Sequence, residues 1–144
     1  MPDEARSSGR VLGLDLGDVR IGVAISDPDR RLAVPLGTVH VGRPPGELKA
    51  IASLVADNDV TFVVLGHPLS LTGERGARAA LAEEFADALR AILKVPVALH
   101  DERLSTAEAE RSLRAAGASG RQRRELVDRT AATVILQSFL ESSR

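Results

Sequence analysis

The chain has 144 residues, of which 44% are hydrophobic, and its formal net charge is −1. This length and composition suit one globular domain with its own core, and no apolar stretch is long enough to cross a bilayer. Without cysteine, the chain can form no disulfide, thiolate nucleophile or cysteine-based metal site. The first nine residues lack the apolar core of a signal peptide. We therefore expect a disordered tail over residues 1–9, a single domain over residues 10–144, and a cytoplasmic protein with no membrane partner.

The first half of the chain predicts three strands followed by a helix. Residues 11–15 and 21–25 are apolar runs joined by a short turn that contains Gly17, which implies an antiparallel hairpin. Residues 32–39 predict a third strand, in which Pro35 favours an edge position or an irregular segment. A pair of prolines at 44–45 then opens a helix whose apolar residues recur at helical spacing.

The second half alternates strands and helices. Residues 60–65 form a continuous apolar run, as in a strand covered on both faces, and residues 95–99 form the next strand. The helix between them, from about 77 to 93, has its predicted apolar side at Ala77, Leu81, Phe85, Ala88, Leu89 and Ile92. A strand, a helix and a strand in this order imply a parallel pair.

Two more helices are predicted at the end of the chain. Ser105 and Glu108 can form a capping box for a helix that closes at Gly117, and a longer helix runs from residue 119 roughly to residue 141. The predicted architecture is α/β. It has a mixed five-stranded sheet, antiparallel at its start and parallel afterwards, flanked by helices.

Acidic residues interrupt three apolar patterns. Asp15 ends the first strand, Asp101 and Glu102 follow the last strand, and Asp128 lies on the apolar stripe of the last helix. An ionised carboxylate on such a stripe is costly unless a cation or hydrogen bonds compensate. Strand alternation sends Asp101 and Glu102 to opposite faces, and we favour Glu102 as the site residue, with Asp101 in support. Asp15, Glu102 and Asp128 are thus candidate ligands of a divalent metal.

Each of these acids also has an ordinary structural explanation. Asp15 precedes a glycine, where a turn-capping aspartate is common. Arg124 lies one turn before Asp128 and could neutralise it as an ion pair. An acidic cluster before a helix start explains Asp101 better than it explains Glu102.

Arginine is concentrated in the last third of the chain, where it could bind a phosphate backbone. The competing explanation is a solvated helix face paired with glutamates, and charge alone favours it. The arginines of this region include Arg103, Arg111, Arg114, Arg121, Arg123, Arg124 and Arg129.

Several segments, taken in order, resemble the YqgF/RuvX family, whose members are described as Holliday-junction-resolvase-like and as pre-16S ribosomal RNA nucleases. The resemblance covers about residues 11–140. Its segments are VLGLDLG at 11–17, RIGVAISD at 20–27, DERLST at 101–106, EAE at 108–110, VD at 127–128, AA at 131–132 and ILQ at 135–137.

The resemblance implies a ribonuclease H-like fold for the single domain, with the first three strands antiparallel. It also implies a catalytic acidic set at Asp15, the Asp101-Glu102 pair and Asp128. Arg20 and Arg103 match family positions and are candidates for orienting the acids or contacting a phosphate.

One loop departs from the family pattern, which reads Gly-Leu-Pro-Leu-Asn where this chain has Gly-His-Pro-Leu-Ser at 66–70. The loop could form one wall of a substrate groove. His67 could contact substrate or shuttle a proton, although a histidine beside a proline is more often a surface residue.

These residues predict a nuclease that hydrolyses phosphodiester bonds with one or two Mg²⁺ or Mn²⁺ ions. The resemblance implies that its substrate is the 5′ end of pre-16S ribosomal RNA. Arg121, Arg123 and Arg124 would bind the backbone without reading sequence, because 2% aromatic residues leave little for base stacking. One alternative is a resolvase of four-way DNA junctions, whose symmetry would suit a homodimer. Others are a non-catalytic module that binds RNA or protein, and an ATPase of the actin and hexokinase type.

Overall fold

The computed structural model describes residues 8–42, 46–69, 74–102 and 120–143, and for residues 120–130 it describes the helical backbone alone. The described part contains five strands and three helices. In chain order these are β1 (Arg10–Leu16), β2 (Arg20–Ser26), β3 (Ala33–His40), α1 (Gly46–Asp57), β4 (Val60–His67), α2 (Ala77–Ile92), β5 (Val97–Asp101) and α3 (Gly120–Ser142).

All five strands form one mixed sheet in the order β3-β2-β1-β4-β5. The first three strands pair antiparallel, whereas β1 with β4 and β4 with β5 pair parallel. Pro35 lies on the edge strand β3, and the register between β2 and β3 shifts between Val23 and Ala24, opposite that proline. The structure thus confirms the mixed five-stranded sheet and the edge position of the proline-containing strand.

The two faces of the sheet carry separate apolar cores, because alternate residues of each strand point to opposite faces. Leu12 and Leu14 of β1 pack with Ile51 of α1 and Leu89 of α2. Val11 belongs to the core on the other face, which α3 covers through Ala132, Leu136 and Leu140. The side chain of Asp15 follows the alternation of Val11 and Gly13, so it lies on the face that α3 covers.

Helix α3 lies unusually close to β1 because Gly13 has no side chain. A Cβ atom at Gly13 would lie 2.7 Å from Cβ of Leu136 and 3.4 Å from the backbone oxygen of Ala132. The helix is also held at the sheet edge by Gln137, whose Oε1 accepts from the backbone N–H of Ala33 at 2.8 Å. These contacts fix the axis and the register of α3 on the sheet.

The predicted apolar side of α2 was wrong in part. The helix buries Ala79, Ala82, Ala86 and Leu89 against the sheet. Leu81 and Ile92 are instead 56% and 48% exposed, and Phe85 is half-buried. Small residues let the helix approach the sheet closely, so the alanine side packs inward although the larger side chains lie elsewhere.

Other boundaries differ by one or two residues. Strand β5 begins at Val97 and reaches Asp101, because Pro96 precedes the ladder and its carbonyl accepts from Val63 at 2.9 Å. The predicted helix at 105–117 lies outside the described residues. The predicted start of the domain at residue 10 stays a prediction. The guanidinium of Arg30 donates to the carbonyl oxygen of Ser8, and the backbone N–H of Gly9 donates to the carbonyl oxygen of Pro28.

Among the described helices, none combines the length and hydrophobicity that a membrane span needs.

Candidate active site

Asp15 and Glu102 meet at one edge of the sheet, although 87 positions of sequence separate them. Asp15 is near the end of β1 and Glu102 directly follows β5, with β4 between the two strands. Their side chains share a hydrogen bond. Gly66 of β4 makes the meeting possible, because a Cβ atom there would lie 2.9 Å from Cγ of Glu102. The carboxyl ends of parallel strands are where ligands bind in α/β sheets, so this pair occupies a favourable place.

Burial and proximity change the protonation of both acids. Burial raises the pKa of Asp15, partly offset by the charge of Arg78 and by the hydrogen bond with Glu102. Burial, and then the charge of Asp15, raises the pKa of Glu102 to about 7. Two half-buried carboxylates side by side cannot both ionise without a compensating positive charge. Near neutral pH, the pair therefore holds a proton unless a cation replaces it.

Arg78 is a residue of this site that sequence reasoning missed. It lies in the first turn of α2, is exposed, and its positive charge lowers the pKa of both Asp15 and Glu102. Its position after the loop that leaves β4 was the available signal, because such loops reach the carboxyl edge of the sheet. An exposed guanidinium beside two carboxyl groups is well suited to hold a phosphate oxygen.

Asp101 and Glu102 are consecutive residues, so strand alternation assigns their side chains to opposite faces of the sheet. Glu102 packs beside Gly66 and Ile135 on the face that α3 covers. Asp101 pairs in register with His67 as the last residue of β5, and alternation places it on the other face. The backbone N–H of Glu102 donates to the carbonyl oxygen of His67 at 3.1 Å, which continues the strand pairing one residue beyond Asp101.

Asp128 lies in α3 one turn before Ala132, and its side chain lies outside the described part of the chain. Ala132 itself is close to this edge of the sheet, since its Cβ is 3.6 Å from a Cβ atom built at Gly22, the residue that pairs with Asp15. The side chains of Arg121, Arg123 and Arg124 are likewise outside the described part, and so is all of Arg103.

His67 contacts a glutamate of α2, whereas Arg20 is exposed. Nε2 of His67 lies 2.8 Å from Oε2 of Glu83 on α2, and Glu83 also pairs with Arg75. Hydrogen bonds from Arg75 and from His67 lower the pKa of Glu83, and the bond from Arg75 has the larger effect. Arg20 is exposed at the start of β2, where its carbonyl accepts from Gly17 at 3.1 Å.

A divalent cation needs more oxygen ligands than the described side chains bring together. Across residues 8–42, 46–69, 74–102 and 131–143, no three acidic or histidine side chains form a metal-binding group. Asp15 and Glu102 form a pair. Their chemistry nevertheless suits a hard cation, which prefers carboxylate oxygens and would relieve the repulsion between the two acids.

Comparison with known proteins identifies close relatives over most of the chain. The model of the RuvX family, described as Holliday junction resolvase, matches residues 9–142. A protein of Roseiflexus sp. named "Putative pre-16S rRNA nuclease" is 45% identical over 136 residues, which are 94% of this chain and 96% of the relative. A relative of the same name from Mycolicibacterium paratuberculosis is 46% identical over 99% of this chain and 86% of its own length.

Solved structures show the same fold at low sequence identity. The RuvC protein of T. thermophilus, in complex with a Holliday junction substrate, aligns with a TM-score of 0.52 and 13% identity over 93% of this chain and 94% of its own. The Holliday junction resolvase of fowlpox virus aligns with a TM-score of 0.53 and 12% identity over 92% and 99%. These structures support the ribonuclease H-like fold predicted from the sequence.

Proposed function

Because the chain belongs to the RuvX family, we propose that it is a cytoplasmic nuclease that hydrolyses phosphodiester bonds in RNA, with the 5′ end of pre-16S ribosomal RNA as its substrate. The hydrogen-bonded pair of Asp15 and Glu102 at the carboxyl edge of the sheet carries this proposal. The names of the close relatives support the choice of RNA.

The acidic pair is proposed to hold Mg²⁺ or Mn²⁺, with Asp128 as a third ligand and Asp101 in a supporting position. The raised pKa values of Asp15 and Glu102 support this assignment, because a cation would replace the shared proton and let both groups ionise. When bound, the metal would lower the pKa of the attacking water and stabilise charge on the transferring phosphate.

The chain's own residues would orient the substrate. Arg78 would hold a nonbridging phosphate oxygen, since its exposed guanidinium lies within electrostatic reach of both acids. Glu102 has a pKa of about 7, so without a cation it can keep or release a proton near neutral pH. Arg20, Arg103, Arg121, Arg123 and Arg124 are proposed to contact the backbone farther from the scissile bond. His67 is proposed to act through Glu83 rather than by touching substrate.

A four-way DNA junction is the second candidate substrate, and the description of the matching family model supports it. A junction of this kind has near two-fold symmetry, so resolving it would require a homodimer that places two acidic pairs on opposite strands. Size-exclusion chromatography with light scattering, with and without a junction, tests that requirement directly.

The decisive experiment compares wild type with Asp15→Asn on a labelled structured RNA, a single-stranded RNA and a four-way DNA junction. Each reaction contains Mg²⁺, Mn²⁺ or chelator. We expect cleavage of the structured RNA that requires metal and falls at least about a hundredfold in the variant. Asp57→Asn is the matched control, because Asp57 is exposed at the opposite end of the sheet, beside the start of β4.

Two outcomes would change the assignment. Preferential cleavage of the junction would replace RNA processing by junction resolution. If wild type cleaves nothing while binding RNA as tightly as Asp15→Asn does, the domain is a binding module and not an enzyme.

A further inference from the structure

The strands beside β1 carry polar side chains at the same edge of the sheet as Asp15. Asp15 pairs in register with Gly22 of β2, and Gly22 pairs with Thr38 of β3, so these three residues form one row across the sheet. Arg20 pairs with His40 in the next row towards the carboxyl end of β1. Residues directly opposite each other, and residues two apart in a strand, share a face of the sheet. Arg20, Thr38 and His40, which we call the β2–β3 strip, therefore lie on the face of Asp15.

The β2–β3 strip is open to solvent, since all three of its side chains are exposed. Val39, between Thr38 and His40, packs against the core on the other face, as the alternation requires. Gly22 separates Asp15 from the strip and has no side chain. A Cβ atom built at Gly22 would lie 3.6 Å from Cβ of Ala132 and 3.7 Å from Cβ of Asp15. The glycine thus keeps the surface low between the acid and the strip, and an extended chain could lie across it.

The three side chains of the strip all donate hydrogen bonds. Arg20 offers a charged guanidinium, Thr38 a hydroxyl, and His40 an imidazole N–H that is present whether or not the ring is charged. Among the side chains that the structure describes, neither Arg20 nor His40 forms an ion pair with an acid. Exposed donors of this kind suit the nonbridging oxygens of a phosphodiester, which accept hydrogen bonds and are negatively charged.

The other face of the sheet suits a phosphate backbone less well at this edge. A cleft of about 470 Å³ opens there beside α1 and α2, and most of its described lining is apolar. Asp18, Glu47 and Glu84 also line it, against one arginine, Arg78. Carboxylates repel phosphate groups, so the charges favour a path that leaves the acidic pair on the side of the strip.

We propose that the β2–β3 strip binds the phosphate backbone of the nucleic-acid substrate beside the scissile bond, with Thr38 and His40 as contacts that join Arg20. The proposal rests on the nuclease function and gives its substrate a direction, from Arg78 across the acidic pair to the edge strand β3. With strands about 4.8 Å apart and a rise of about 3.4 Å per residue, the Cα atoms of Asp15 and His40 are about 12 Å apart. The strip therefore contacts phosphates close to the scissile one.

The test measures binding of a labelled single-stranded RNA by fluorescence anisotropy, in chelator that withholds the metal proposed for cleavage. His40→Lys adds a full positive charge to the strip. We expect its affinity to rise about three- to fivefold, and its log–log salt dependence to steepen by about 0.7. His40→Glu should lower the affinity by a similar factor.

Val34→Lys and Val34→Glu are the matched controls, because they make comparable charge changes at another exposed position of β3. Val34 pairs with Ile25, whose side chain lies in the core on the other face, and is about 20 Å along the strand from His40. This distance exceeds the screening length of about 8 Å at physiological salt, so RNA affinity should change by less than about twofold.

A rise in affinity cannot result from partial unfolding, so His40→Lys remains informative even if His40→Glu folds poorly. Equal responses of the His40 and Val34 variants would overturn the proposal. So would imidazole NMR signals of His40 that stay in place while wild type is saturated with the RNA. Because neither measurement involves cleavage, RNA binding at the strip by a protein without nuclease activity would contradict the proposed function alone. Metal-dependent cleavage with a strip that does not respond to charge would contradict the strip alone.

Discussion

The side chain of Glu102 reaches Asp15 across Gly66, and a Cβ atom at Gly66 would lie 2.9 Å from Cγ and 3.0 Å from Cδ of Glu102. The glycine therefore has a steric role here and needs no unusual backbone angle. Any side chain on β4 at this point would occupy the path between the two acids. The acidic pair thus depends on three strands. β1 carries Asp15, β5 leads into Glu102, and β4 between them has a glycine that leaves room for the two side chains.

Gly66→Ala should lower kcat for RNA cleavage by about tenfold to a hundredfold, because the added methyl group displaces the Glu102 carboxylate from Asp15. Single-turnover cleavage by the folded variant measures the effect. Gly76→Ala is the control, since a Cβ atom at Gly76 meets nothing within 4 Å. Unchanged cleavage by Gly66→Ala would show that the position of Glu102 does not matter for the reaction.

The stability of the metal-free protein should fall as pH rises from about 4.5 to about 7. The folded-state pKa of Glu102 is raised from 4.5 to about 7, so in this window the folded protein binds more protons than the unfolded chain. The slope of unfolding free energy against pH is then negative for this residue. Burial raises the pKa of Asp15 as well, which adds a contribution of the same sign.

Thermal melting of wild type and Glu102→Gln in chelator, over this pH range, measures the contribution. The wild type should lose more stability than the variant as pH rises, and Mn²⁺ should restore the wild type at pH 7. Parallel pH curves for the two proteins would mean that Glu102 titrates normally. The comparison between them cancels other titrating groups, such as His100, whose pKa burial lowers.

Strand periodicity and turn chemistry were sufficient to predict the sheet and the face of each strand-end acid. Alternation predicted that Asp101 and Glu102 point to opposite faces, and Glu102 is the one that lies beside Gly66 and hydrogen-bonds to Asp15. These features are local, because a strand has a fixed two-residue period. The short turn predicted the antiparallel hairpin and the intervening helix predicted the parallel pair. The resemblance to the family added the antiparallel pairing of the third strand.

The sequence could not reveal which side of α2 packs inward. Hydrophobicity favoured the side of Leu81 and Phe85, whereas the close approach of the helix to the sheet selected Ala79, Ala82 and Ala86. That choice depends on the distance between α2 and the sheet, which the sequence of the helix alone does not encode.

Gly13→Ala should destabilise the protein by about 1–3 kcal/mol, because Cβ of Leu136 would lie 2.7 Å from the new methyl group. Neither atom can rotate away, so α3 must move as a unit. Chemical denaturation measures the change, with Gly42→Ala as a control at a position that has no neighbour within 4 Å. A loss no greater than that of the control would mean that α3 can shift freely on the sheet.

His67→Leu places at this position the residue that the family pattern has, and it removes the contact of Nε2 with Glu83 at 2.8 Å. If His67 acts by fixing the end of β4 against α2, Glu83→Gln should produce the same modest loss of kcat/KM. The double variant should then lose no more kcat/KM than either single variant does, because all three variants disrupt the same contact between His67 and Glu83. Steady-state cleavage of the same RNA by the four proteins completes the cycle. If His67 contacts the substrate itself, adding His67→Leu to Glu83→Gln should lower substrate affinity further. Additive losses in the double variant would therefore identify His67 as a substrate-binding residue.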